Sequence, residues 1–171
     1  MENFLRENGE KKRSKKGLIT AVLVALVVVA GVILAISFIP SNSEMKADAL
    51  EGAFFEDSKE FQEYTKEIII TTDPDRLLQS MTGMGKIIMN IGGRIRNKGD
   101  KSLSALQVKV GVVDSKSEVI KERKFIIIPS FNKSTLGPSE SIDVSVSIGG
   151  FTREDDRANV RWKVTAIKFA D

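Results

Sequence analysis

The stretch from Gly83 to Gly99, GMGKIIMNIGGRIRNKG, holds five glycines and four basic residues in seventeen positions. Such a composition could cradle a phosphate on backbone N–H groups. A phosphate loop of the G-x-x-x-x-G-K-[ST] kind ending at Gly85-Lys86 needs a glycine five residues earlier and a hydroxyl after the lysine to reach magnesium. Ser80 and Ile87 stand at those places. A dinucleotide fingerprint beginning at Gly83 needs its third glycine where Ile88 stands, and a helix after it. Neither is present, so no nucleotide cofactor is expected.

Carboxylates offer the next chemistry. Asp73/Asp75 and Glu154-Asp155-Asp156 are candidates for calcium, which takes six to eight oxygens. Neither has the spacing of a calcium-binding loop, and the expectation is solvated acids with no metal. Two acids held across a cleft could run a hydrolysis, which makes a carboxylate-based hydrolase or carbohydrate-active enzyme of the cell envelope the alternative reading. Cysteine and histidine are both absent. That removes thiolate and imidazole ligands, disulfides and the commonest general base at neutral pH, and no catalytic residue is assigned. What remains is recognition: Lys86, Arg94 and Arg96 on the outer face of one strand, and the aromatic pair Phe54 and Phe55, are the candidate interaction surface, the alternative for the phenylalanines, Phe61 included, being that they pack against the domain. Arg153, Arg157, Arg161 and Lys163 surround Trp162, whose alternation with Arg161 and Lys163 places it in the core.

The net charge of +3 is a property of one end of the chain. Residues 1–16 carry six Lys/Arg and three Glu, and the remainder carries twenty of each sign. The body has no basic excess to draw nucleic acid. After this basic tail, Gly17 to Ile39 runs for 23 residues without a charge. As a helix it reaches about 35 Å, enough for a hydrocarbon core of about 30 Å. In lipid a helix also pairs every backbone group within the segment. A cleaved signal peptide is the rival, but the run is long and closes on Ser-Phe-Ile-Pro, without the small-residue cleavage pattern.

Lys11, Lys12, Arg13, Lys15 and Lys16 flank the run on its N-terminal side, which places residues 1–16 in the cytoplasm, 17–39 across the inner (cell) membrane and the rest outside, periplasmic or extracellular. Ala21/Ala25 and Gly31/Ala35 have the spacing that lets two such helices approach, so a homodimer is one expected partnership. The lipid bilayer and another envelope or membrane protein are the others.

Residues 40–63 read as a polar stalk with a short helix near Met45–Phe55. From Tyr64 the period becomes two. YTKEIIITT is a candidate strand; Asp73-Pro74-Asp75 resembles a helix start leading into Arg76–Met81. Lys86–Asn97 alternates, with Ile87, Met89, Ile91 and Ile95 on one face and Lys86, Asn90, Arg94 and Arg96 on the other. Gly83 and Gly85 form a turn before it, Gly99 one after it, and Gly92-Gly93 a bulge or a close approach within it. Leu106–Val112, Val119–Ile128, Ile142–Ile148 and Val160–Ala166 continue the pattern, separated by the turns NKGDKS and DSKS and the loop SFNKSTLGPSES. Six strands without crossover helices predict a mainly β fold, an antiparallel sandwich over residues 64–171. It should fold without disulfide or metal.

The order from Gly85 to Phe169, a strand with GRIRNKG, a second ending VVDSKSEVI, then LGPSES before a third, resembles the bacterial FxLYD-type domain and its relatives. Val110, Val112 and Val113 stand where that family's Phe, Leu and Tyr would, ahead of Asp114. The resemblance implies an immunoglobulin-like sandwich, often tethered by one N-terminal transmembrane helix, that acts as an extracytoplasmic interaction or assembly module and has no catalytic residues.

Overall fold

The computed structural model describes residues 24–26, 28–29, 31, 48–130 and 132–170. The chain separates into two units, Met1–Glu44 and Met45–Asp171. In the first, the described residues are helical and exposed. The expected cytoplasmic tail, and most of the expected 17–39 span with its orientation and helix pairing, lie outside the described residues. Among those described, no helix is long and apolar enough to cross a membrane.

The second unit is mainly β. Among the described residues seven strands run in chain order: β1 (Phe54–Phe55), β2 (Ile68–Met81), β3 (Ile87–Asn97), β4 (Leu103–Val113), β5 (Val119–Ile128), β6 (Ser141–Phe151) and β7 (Asn159–Phe169). One short helix, α1 (Lys59–Tyr64), lies between β1 and β2 and runs into a 3-10 turn at Thr65–Glu67. The strands form two antiparallel sheets, one ordered β1-β7-β4-β5 and the other β2-β3-β6. Their inner faces share one apolar core. Met89, Ile91 and Ile95 of β3 and Val144, Val146 and Ile148 of β6 meet Leu106, Val108, Val110 and Val112 of β4 and Ile167 of β7. Period-two alternation made these residues recognisable, because strand side chains point alternately to opposite faces and only one face is covered.

Four local readings are corrected. Asp73-Pro74-Asp75 does not start a helix: Leu77–Met81 continue β2 and pair with Ile87–Ile91. The turn that closes this hairpin decides it. Gly85, at φ +73°, takes a left-handed conformation that costs glycine little, and Thr82 and Lys86 bond across its ends at 2.7 Å. The Asx bond from Asp75 N–H to Asp73 Oδ1, 3.1 Å, shapes an excursion of β2 and not a cap. In the ladder, Thr72 faces Gly93 and Leu77 faces Ile91, so Asp73–Arg76 arch over Gly92 alone. Pro74 is tolerated because β2 is an edge strand and the ladder is already interrupted there.

The irregularity expected at Gly92-Gly93 thus sits on the partner strand. The glycines provide the close approach: a Cβ on Gly92 would lie 2.4 Å from the Cβ of Arg76, and one on Gly93 would lie 3.0 Å from the Trp162 ring.

Of the helix expected near Met45–Phe55, the described residues show Asp48–Ala49 as helical, while Phe54–Phe55 is a strand laid on Ile167 and Ala166. A further helix, α1, follows where Ser58 Oγ accepts from Phe61 N–H and Phe61 and Tyr64, three residues apart, share a buried face. For the same reason YTKE is not strand; helical structure continues to Glu67 and β2 begins at Ile68. β1 is the strand beyond the expected six; two residues are too few to show a period.

Candidate functional site

The outer face of the three-stranded sheet is organised by β3. Across from Asn90, Gly92, Arg94 and Arg96 stand Ser147, Ser145, Asp143 and Ser141 of β6. Arg94 donates to both carboxylate oxygens of Asp143, at 2.8 and 3.1 Å, the fork-to-fork geometry that suits a guanidinium. The pairing holds Asp143 below the usual carboxylate range and raises Arg94 further above neutrality. Arg76 lies across Gly92 and donates to the Val144 carbonyl at 3.2 Å, so the excursion of β2 covers the middle of this face. Arg96 is exposed at one end.

Lys86 belongs to the hairpin turn, ahead of β3, about 27 Å from Arg94 along an extended chain. The basic stripe predicted from alternation is therefore divided: Arg94 and Arg96 are neighbours, and Lys86 is not with them. Among the described residues neither Lys86 nor Arg96 has a carboxylate at ion-pair distance. Phe54 and Phe55 lie on the other sheet. Phe54 is half-buried against Phe169, with ring centroids 5.6 Å apart, while Phe55 is 45% exposed. The five candidates do not form one site.

The calcium candidates also separate. Asp155 accepts from Thr152 N–H and Asp156 from Ser115 N–H, at 2.6 and 2.9 Å, so each carboxylate ties down a different turn. Among the described residues no group of three or more acids is placed to hold a metal ion.

Two further features were not recognisable in the sequence. One is a polar knot around Asn97, which is fully buried although it opens what reads as a turn. The other is a groove of about 500 Å³ between β2 and the part of β7 that β1 leaves uncovered, lined by Phe61, Ile68, Ile70, Thr72, Trp162 and Val164 among others. Trp162 is half-buried there, its indole N–H donating to Thr72 Oγ1 at 3.0 Å. Its place on the inner face was predicted; its position at the seam depends on which strands become edges, and strand order is not written in periodicity. A second cleft of about 460 Å³ carries Glu60, Glu63, Glu67 and Asp100 beside Lys98, Lys101 and Phe169.

Beside Asp143, three carboxylates among the described residues are shifted from their ordinary values, and all downward. Lys163 lowers Glu56, the Gly137 N–H with Lys133 lowers Glu140, and Ser115 lowers Asp156. A group that ionises more readily folded than unfolded adds stability above its unfolded pKa and loses that stability as pH falls through the folded one. Stability should thus be level down to about pH 5 and decline below the ordinary values of 4.5 for Glu and 3.8 for Asp. All four groups are exposed, so the decline should be modest and smaller in high salt. Urea midpoints at about pH 7, about pH 5 and about pH 3 check this; a higher midpoint at the most acid point would contradict the assignment.

No protein-family model matches the chain, nor does any curated protein. Among solved structures, a Northeast Structural Genomics Consortium target designated SoR45 is similar with TM-score 0.38 and 12% identity over 61% of this chain and 85% of its own. A Bordetella pertussis structure carrying the provisional name ApaA is similar with TM-score 0.29 and 10% identity over 60% of this chain and 87% of its own. At these TM-scores neither bears on what the chain does.

Proposed function

We propose that the chain is a binding or assembly module, an immunoglobulin-like domain of the FxLYD type, held at the cell membrane by the apolar segment 17–39 with its N-terminus in the cytoplasm and the domain outside. It recognises another envelope or membrane protein through sheet faces and edges and does no catalysis. The observation that supports this most is the distribution of perturbed carboxylates. Glu56, Glu140, Asp143 and Asp156 occupy four separate surface positions, and each is lowered by a donor beside it. A carboxylic acid that donates a proton near neutral pH needs the opposite shift, from burial or a like charge close by.

Strand order supports the immunoglobulin-like reading. β2, β3 and β6 take the places of strands A, B and E, and β4 and β7 those of C and F. Anchoring confines recognition to the membrane plane, where the effective concentration of a co-resident partner is high.

Crosslinking of the full chain in its native membrane, followed by isolation in mild detergent, tests the reading. A stoichiometric membrane or envelope partner is the expected product. Recovery of the chain alone, at high abundance and under gentle conditions, would remove the case for an assembly module.

A further inference from the structure

Every antiparallel sheet that is not closed leaves free strand edges, and folded proteins shield them with bulges, proline, inward-pointing charge or a covering segment. Three of the four long edges here are shielded. β2 has Pro74 and the Asp73–Arg76 excursion. On β5, Arg123 is in register with buried Val110, and Lys121 reaches across to donate to the Gly150 carbonyl of β6 at 2.7 Å. β6 packs beside β5. The remaining edge, β7, has no proline, inward-pointing charge or bulge from Asn159 to Val164; its bulge comes at Thr165, and its charges, Arg161 and Lys163, point outward. Among the described residues only β1 lies beside it, at Ile167 and Ala166. The open stretch of seven residues is about 23 Å long.

The two sides of that edge differ chemically. Inward, Val160, Trp162 and Val164 line the groove that they share with Phe61, Ile68, Ile70 and Thr72. Outward, the register sets Lys163, Lys109 and Lys124 directly opposite one another across β7, β4 and β5, with Arg161 one place further along β7. Like charges opposed across strands are unfavourable. Glu56 and Glu122 each offset one lysine, at 2.6 and 3.2 Å. Among the described residues Arg161 and Lys124 have no such partner.

The chain itself shows what fits. After β1 it sets the Glu56 carboxylate against Lys163, then leaves the edge at Ser58 to enter α1.

On the basis of the binding-module reading, we infer that the open edge of β7 is a strand-addition site. Its occupant is an extended segment of a partner protein in which acidic residues alternate with apolar ones. Main-chain bonds to residues 159–165 extend the four-stranded sheet. The apolar side chains enter the groove beside Trp162, and the acidic ones face Arg161, Lys163 and the lysine row behind them. This is the position that strand G fills in an immunoglobulin-type sheet, held here by only two residues.

Trp162 is the sole tryptophan, so its emission reports occupancy. The probes are a short peptide alternating valine and glutamate, its counterpart alternating valine and lysine, and a scrambled-order peptide of the first composition. Each is added to the full-length chain in detergent. The glutamate peptide should shift Trp162 emission saturably and slow amide exchange at residues 159–165, binding at least about tenfold more tightly than the other two. The double variant Arg161→Glu/Lys163→Glu changes two exposed side chains; it should stay folded, losing only the exposed Lys163–Glu56 pair, and reverse the peptide preference. Equal binding of the two charge types, protection on β5 or β6 instead, or no saturable binding would overturn the proposal.

A photocrosslinker placed at Arg161 and, separately, at Arg94 in native membranes distinguishes the levels of failure. Crosslinks from Arg94 but not from Arg161 would reject the β7 edge and leave the binding module; none from either would reject both.

Discussion

Replacing Asn97 with alanine should destabilise the domain by about 3 kcal/mol, several times the cost of an ordinary surface substitution. Asn97 ends β3 with none of its surface exposed. Its Nδ2 donates to the Lys101 and Gly137 carbonyls at 2.8 and 3.1 Å, and its Oδ1 accepts from Gly99 N–H at 3.1 Å. The Tyr64 hydroxyl lies 3.1 Å from the same oxygen, donates to the Lys101 carbonyl at 2.6 Å and accepts from the Lys101 N–H at 2.9 Å. One side chain therefore joins four pieces of chain: the end of β3, the turn after it, the loop before β6 and the end of α1. Alanine removes the donors but leaves the carbonyls and the hydroxyl where water reaches them poorly, and each orphaned group costs about 1–3 kcal/mol.

The knot predicts its own non-additivity. Tyr64→Phe should cost about 1 kcal/mol alone, and the double variant less than the sum, because the two residues share partners. Urea unfolding monitored at Trp162 measures all three. A loss below about 1 kcal/mol for Asn97→Ala would show that solvent replaces the amide and that the knot is not a stabilising element.

Leu136→Ala should cost a similar amount, about 3 kcal/mol, although Leu136 lies in a loop. It is fully buried, and its N–H and carbonyl exchange 2.9 Å bonds with the carbonyl and N–H of Leu103 at the start of β4. The side chain fills the core end that the crossing from β5 to β6 would otherwise leave open, and truncation there leaves a cavity bounded on one side by a loop anchored at this point. Leu78→Ala is the matched comparison: Leu78 sits within a regular strand but is 61% exposed, and its loss should stay within about 0.5 kcal/mol. Comparable unfolding midpoints for the two variants would contradict the assignment of Leu136 to the core.

The contrast between Leu136 and Leu78 shows what periodicity can and cannot convey. Ile91, Ile95, Val108, Val110, Val144 and Val146 were recognisable as core because each sits in an alternating run with one covered face. Leu136 stands alone among serine, glycine and proline, and Leu78 follows an Asp-Pro-Asp that locally favours a helix start; in both, tertiary pairing overrode the local signal. The burial of Asn97 was not legible for a related reason. Asparagine before Lys-Gly is a turn signal wherever it occurs, and nothing adjacent in sequence reveals that carbonyls from residues 101, 136 and 137 converge on it. Of the candidate surface, Arg94 and Arg96 were placed on the outer face and Phe54 against the domain, whereas the distance from Lys86 follows from where the strand ends, which is set by pairing over long separations.

The connections carry one more consequence, for the order of assembly. The chain passes from one sheet to the other between β1 and β2, between β3 and β4, between β5 and β6, and between β6 and β7, so neither sheet is a continuous piece of sequence. The three-stranded sheet waits for β6, and β4, the middle of the main core, keeps one side bare until β7 arrives. A chain emerging N-terminus first therefore has no stable halfway state with a closed sheet. Cleavage that removed β7 would not trim the domain but open it at its centre.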